Sequence, residues 1–104
     1  MFQVNGKRIF KHVAYASAQT AATFHSPTSG KKVAICGYVV STTAANIVTI
    51  ILGSTDIVKL DLAANGGANL SSPVPIYVGA ADEAIKITTS AATNAYITIF
   101  GYEI

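Results

Sequence analysis

Apolar and polar residues alternate along this chain in short runs, and no segment sustains a helical period. Asp56 to Leu62 is the clearest case. Val58, Leu60 and Leu62 alternate with Ile57, Lys59 and Asp61, which is the two-residue period of a half-buried strand. Ala84 to Ser90 repeats the pattern, with Ile85 and Ile87 inward and Lys86 and Thr88 outward. Ala95 to Ile104 reads as a closing strand. It sets Tyr96, Phe100, Tyr102 and Ile104 on one face and Ile97 and Ile99 on the other. Ile9 to Ser17 alternates more loosely, with Ile9, Val13 and Tyr15 against Lys11. Ala18 to Phe24 fits a strand or a loop, and Ile76-Tyr77-Val78 a short strand.

Val33 to Gly53 is the stretch around which the other strands are organised. Two runs rich in Val, Ile and Tyr flank Ser41-Thr-Thr-Ala-Ala-Asn46, and each run is of strand length. This pattern predicts a β-hairpin with a longer-than-minimal loop. In the first strand Val33, Ile35 and Val39 oppose Ala34, Cys36, Tyr38 and Val40. In the second, Val48, Ile50 and Leu52 oppose Ile47, Thr49 and Ile51. Neither strand has a clean polar face, so the hairpin is expected at the centre of a sheet or under another chain.

Turn chemistry separates these runs. Asn5-Gly6, His25-Ser-Pro-Thr-Ser-Gly30, Gly53-Ser-Thr55, Asn65-Gly-Gly67, Gly79 to Asp82 and Ala91 to Asn94 all break the pattern. Pro73 and Pro75 make Asn69 to Pro75 a loop or an edge. About eight short strands at this spacing predict an all-β, single-domain antiparallel β-sandwich, jelly-roll-like. One domain is expected over residues 1–104, with residues 1–8 an N-terminal arm that carries Phe2 and Val4 toward a neighbour. The competing reading makes Phe2 and Val4 an edge strand of their own sandwich.

Composition adds one strong signal. Charged residues are 12% of the chain, against about 25% in ordinary globular domains. A small monomer needs a charged surface to stay soluble, so this chain is expected to be covered by neighbours, as a homo-oligomer or assembly subunit. The net charge of +2 is mild. Lys7, Arg8 and Lys11 cluster, as do Lys31 and Lys32, but without the density or aromatic interleaving of a nucleic-acid face. No run reaches membrane-spanning length. Lys7, Arg8 and Lys11 interrupt any signal-peptide core, so synthesis in a cytoplasm is expected. The single cysteine permits no intrachain disulfide, and Cys36, in the most apolar strand, is expected to be a buried structural residue.

Reactive groups do not converge. Asp56 and Asp61 fall on opposite faces of one strand, and Asp82-Glu83 sits at a turn. His12 and His25 have no Cys or acid at metal-ligand spacing. Gly66-Gly67 has no following helix, so it is not a phosphate loop. No enzyme, metal or cofactor is expected. Tyr38, Tyr77, Tyr96, Phe100 and Tyr102 suit core packing or a subunit interface, where a ring and a hydroxyl are both useful. A sugar-stacking platform is the alternative. Phe2, Val4, Tyr38, Tyr77, Tyr96 and Tyr102 are therefore the candidate contact residues.

From Thr20 onward a set of segments recurs in fixed order: Gly30-Lys-Lys-Val33, Gly37-Tyr-Val-Val-Ser41, Val48-Thr-Ile50 leading into Gly53-Ser-Thr55, Leu62-Ala-Ala-Asn-Gly-Gly67, Asp82-Glu-Ala-Ile-Lys-Ile87 and Ser90-Ala-Ala92. In these the chain resembles a family of small proteins encoded by tailed phages and prophages. The first nineteen residues lie outside the resemblance. It implies a virion structural component, a cement or decoration protein that binds the major capsid protein on the head surface. The expected mechanism is multivalent burial by a homo-oligomer, with a trimer at capsid three-fold positions favoured. A tail or fibre module that binds host glycan is the alternative.

Overall fold

The computed structural model describes residues 7–91 and 94–104, and Phe2 and Val4 lie outside them. Nine strands occur among the described residues: β1 (Lys7–Tyr15), β2 (Gln19–His25), β3 (Val33–Thr42), β4 (Asn46–Leu52), β5 (Thr55–Leu62), β6 (Gly67–Ser71), β7 (Tyr77–Val78), β8 (Ile85–Thr89) and β9 (Ala95–Glu103). The first sheet has the order β1-β9-β3-β6, with β7 beside β6 on the same edge of β3. The second has the order β2-β8-β4-β5. Every pairing is antiparallel. The result is a β-sandwich with jelly-roll-like strand order. Lys7 and Arg8, expected in an arm, belong to β1.

Period-two patterning explains which side chains are inside. Along β9 buried and half-buried residues alternate without exception. Ile97 and Ile99 point inward from the first sheet and meet Ile85, Ile87, Val48 and Ile50 from the second. Each is at most 1% exposed. Full burial of such a side chain contributes about 1.5–3 kcal/mol.

The expected hairpin over Val33–Gly53 does not form. β3 pairs with β9, β6 and β7 in the first sheet, and β4 pairs with β5 and β8 in the second. Residues 43–45 carry the chain across the sandwich instead. Both strands own an apolar set, and stacking them face to face buries each set against the other. The crossing is pinned by Asn46, which is buried. Its Oδ1 accepts hydrogen bonds from the Ser90 amide at 3.0 Å, the Ser90 hydroxyl at 3.2 Å and the Ala91 amide at 3.2 Å. The central placement of both strands does hold: β3 lies between β9 and β6, and β4 between β8 and β5.

A second departure lies inside β3. Its register against β9 slips between Ile35 and Gly37, so Cys36 is an extra residue in a β-bulge. The slip reverses the alternation. Val33 and Ile35 point inward before it, and Tyr38 and Val40 after it. Val39, grouped with Val33 and Ile35 on parity alone, faces outward and is 49% exposed.

Candidate interaction face

The outer face of the first sheet follows from these alternations. β9 turns Tyr96, Thr98, Phe100 and Tyr102 outward. Register sets Phe10 of β1 beside Phe100, and His12 beside Thr98. On the other side of β9, Val39 of β3 lies beside Thr98 and Ser41 beside Tyr96. Val78 of β7 extends the face past Ala34. Phe10 is 68% exposed and Val78 53%. The Phe10 and Phe100 rings stack at 6.4 Å between centroids, inclined by 26°. Phe100 lies across Gly37: a Cβ there would come within 2.4 Å of the Phe100 ring and 2.3 Å of the Leu70 carbonyl oxygen. Glycine is thus required at 37 for the ring to lie flat on the sheet. His12 Nδ1 and the Thr98 hydroxyl are 2.8 Å apart, which orients the imidazole on the same surface.

Charge separates the two outer faces. On the first sheet Arg8, beside Tyr102, is the only fixed charge among the described outward residues, and no carboxylate accompanies it. The second sheet turns Lys59, Asp61, Lys86 and Asp56 outward, interleaved with Thr23, Thr49 and Thr88. That face carries charges of both signs, with Ile47 and Ile51 of β4 between them. The scarcity of charge in the composition is therefore concentrated on one side of the sandwich.

The sheet edges are poor docking elements. β1 is regular along its nine residues, but Lys11 points inward at its rim, with Nζ 5.7 Å from the Phe24 ring centroid. An inward charge discourages a further strand from adding there. β2 is broken by register shifts on both sides of Ala22–Thr23, with Ala21 at φ 46°. Its Gln19 and Ala21 amides donate to the hydroxyls of Thr89 and Thr88, each at 2.9 Å, in place of regular ladder bonds. β5 is bulged at its start, and β6 is five residues long with Pro73 and Pro75 beyond it.

The candidate contact residues divide. Tyr96 and Tyr102 stand on the aromatic face, half-buried. Tyr38 is turned into the core by the bulge, where burial first and Tyr77 second push its hydroxyl pKa up. Tyr77 packs on the core from β7. Phe2 and Val4 lie outside the described residues. Sequence reading passed over Phe10, Val39 and Arg8. Phe10 carried a signal, because its parity is opposite to that of Ile9. Val39 carried none, because its orientation depends on the bulge.

The remaining polar groups are used structurally. Asp82 Oδ1 accepts from the Gly30 amide at 2.6 Å, and Glu83 Oε1 from the Ala80 amide at 2.7 Å, so this pair ties turns together. His25 Nε2 lies 2.8 Å from Glu103 Oε2, within hydrogen-bond distance. No group of three or more metal-ligating side chains occurs among them. Cys36 is 5% exposed, and burial pushes its thiol pKa up. It lies outside the core between the sheets, under Ser72, Pro73 and Phe100 on the aromatic face. No family model, curated protein or solved structure matches this chain.

Proposed function

We propose that the protein is a non-enzymatic structural component of a tailed-phage virion. In this reading it is a cement or decoration protein, made in the host cytoplasm, that lies on the capsid surface and binds the major capsid protein. The observation that carries the reading is the uncharged aromatic face built on Phe10, Phe100, Tyr96 and Tyr102, on a sandwich whose edges are blunted. The resemblance of the Gly30–Ala92 segments to phage virion proteins supplies the kind of particle.

Size supports a multivalent mechanism. The strands β1, β9, β3 and β6, of nine, nine, ten and five residues, about 4.8 Å apart and rising about 3.4 Å per residue, present roughly 540 Å². A standard interface uses about 800 Å² per partner. One protomer therefore binds weakly, and a homo-oligomer, a trimer at three-fold positions, gains effective concentration with each further contact.

A second reading is favoured by one observation. Tyr96, Phe100 and Tyr102 project from the same side of one strand, as a platform for stacking sugar rings would. In that case the protein is a glycan-binding module of a tail or fibre.

Binding to heads separates the two, and Phe10→Glu tests whether the aromatic face makes the contact. Phe10 is mostly exposed, so the variant is expected to keep its melting temperature. Its binding to heads assembled without the protein, measured by co-sedimentation, should weaken by at least about tenfold, as for a central interface residue. Wild-type protein that ignores such heads but is retained on a polysaccharide column would move the assignment to the glycan module.

A further inference from the structure

The aromatic face contains a cleft of about 140 Å³, lined by Arg8, Cys36, Ser72, Pro73, Phe100, Gly101 and Tyr102. A cavity of about 150 Å³ holds a benzene ring, so the cleft accommodates one short side chain. The chain after β6 forms one wall. There the Ser72 amide donates to the Cys36 carbonyl at 3.0 Å, and the Ser72 hydroxyl oxygen accepts from the Val74 amide at 3.2 Å. Both bonds consume acceptors and leave the Ser72 hydroxyl proton free to donate.

Arg8 carries the one charge of the lining, and the hydroxyls of Ser72 and Tyr102 can donate as well as accept. The Arg8 guanidinium carries five N–H groups and no acceptor. No carboxylate of the described residues lies within ion-pair distance of it. The Tyr102 and Ser72 hydroxyls add donors, and Cys36, its pKa raised, keeps its proton. Phe100 and Tyr102 supply apolar walls. A single planar cation beside aromatic rings matches one planar monoanion, since guanidinium and carboxylate pair through two parallel hydrogen bonds. A phosphate, with more charge, is poorly matched by a lone arginine.

We propose that this cleft is a carboxylate-binding anchor, which takes an Asp or Glu side chain from the protein that covers the aromatic face. The proposal deepens the docking reading and rests on the face being a protein interface. The partner then presents an apolar patch with one acidic side chain facing Arg8. The pair fixes the orientation of docking, because a charge match gives specificity more than affinity.

The test needs no partner. Sodium benzoate is titrated into the full chain and amide shifts are followed by two-dimensional ¹H–¹⁵N NMR, with neutral benzamide as the control. Shifts are expected at Cys36, Ser72 and Tyr102, saturating with a Kd on the order of 1–10 mM. Benzamide should bind at least about tenfold more weakly, and Arg8→Gln should lose the benzoate response to the same degree while its other amides stay in place. Equal binding of benzoate and benzamide, an unaltered response in Arg8→Gln, or no shifts in the wild type overturns the proposal. Phe10→Glu reports on the face and Arg8→Gln on the cleft, so either reading can fail alone.

Discussion

Glu103 is an acid on the inward side of β9, 3% exposed, in line with Ile97 and Ile99. Its place is made tolerable by donors. The Thr28 amide reaches Oε1 at 3.0 Å and His25 Nε2 stands 2.8 Å from Oε2. The amide and hydroxyl of Thr28, and then His25, outweigh desolvation and hold its pKa near about 2, below the ordinary 4.5. A depressed acid stabilises the fold above its unfolded pKa, and that contribution is lost as pH falls from about 4.5 toward about 2. Glu103→Gln is expected to cost about 1–3 kcal/mol at pH 7, as for a hydrogen bond to a charged group. Urea unfolding at a series of pH values checks this. The gap between variant and wild type should close near pH 2, and a gap that persists there would mean that the charge is irrelevant. Little of this was visible in the sequence, where Glu103 was one acid in an apolar strand. Its partners come from the last residue of β2 and the loop after it, brought alongside only by the fold. The bulge at Cys36 was hidden for the same reason, because β9 defines it.

At the scale of the element, legibility followed local regularity. β8 and β9 alternate strictly and are readable in extent and facing, whereas the bulge at the start of β5 sets Ile57, expected outward, against the core. β2 fits a strand or a loop on sequence, and it is the strand with two register shifts. The hairpin expected from β3 and β4 failed because strand character is local whereas strand partnership is not. Edge protection is also an element property. Lys11 is exposed and touches the core only through the Phe24 ring, yet it is a rim charge of the only long regular edge among the described strands. Lys11→Val is expected to leave the urea midpoint unchanged or slightly raised. The same substitution should promote association through the edge, since a flat apolar edge is a template for further strands. Light scattering at rising concentration reads this out. A variant that scatters like wild type would show that β1 is guarded in some other way.

At the scale of the molecule, the low charge predicts a covered surface, and the uncharged side of the fold is the outer face of the first sheet. Under the proposed function, whether that face joins protomers or meets the capsid is separable by sedimentation. The wild type is expected to sediment as an oligomer at micromolar concentration. If Phe10→Glu is monomeric, the aromatic face joins protomers. If it stays oligomeric but releases heads, the face is the capsid contact. A wild type that is monomeric alone and ordered only on heads confines assembly to the particle.

The strand order of the first sheet also governs when the molecule is able to fold. β9 is the neighbour of both β1 and β3, and the two do not touch each other in the ladder. A nascent chain that has emerged as far as β8 therefore holds two strands waiting for a third that has not been made. Each closes a loop spanning most of the chain, the slow kind of contact in folding. Until β9 arrives, Ile9, Val33 and Ile35 have no complete sheet to bury them. Folding of the first sheet is therefore expected to wait for β9, and a stop codon anywhere before β9 should yield an aggregating fragment rather than a smaller domain.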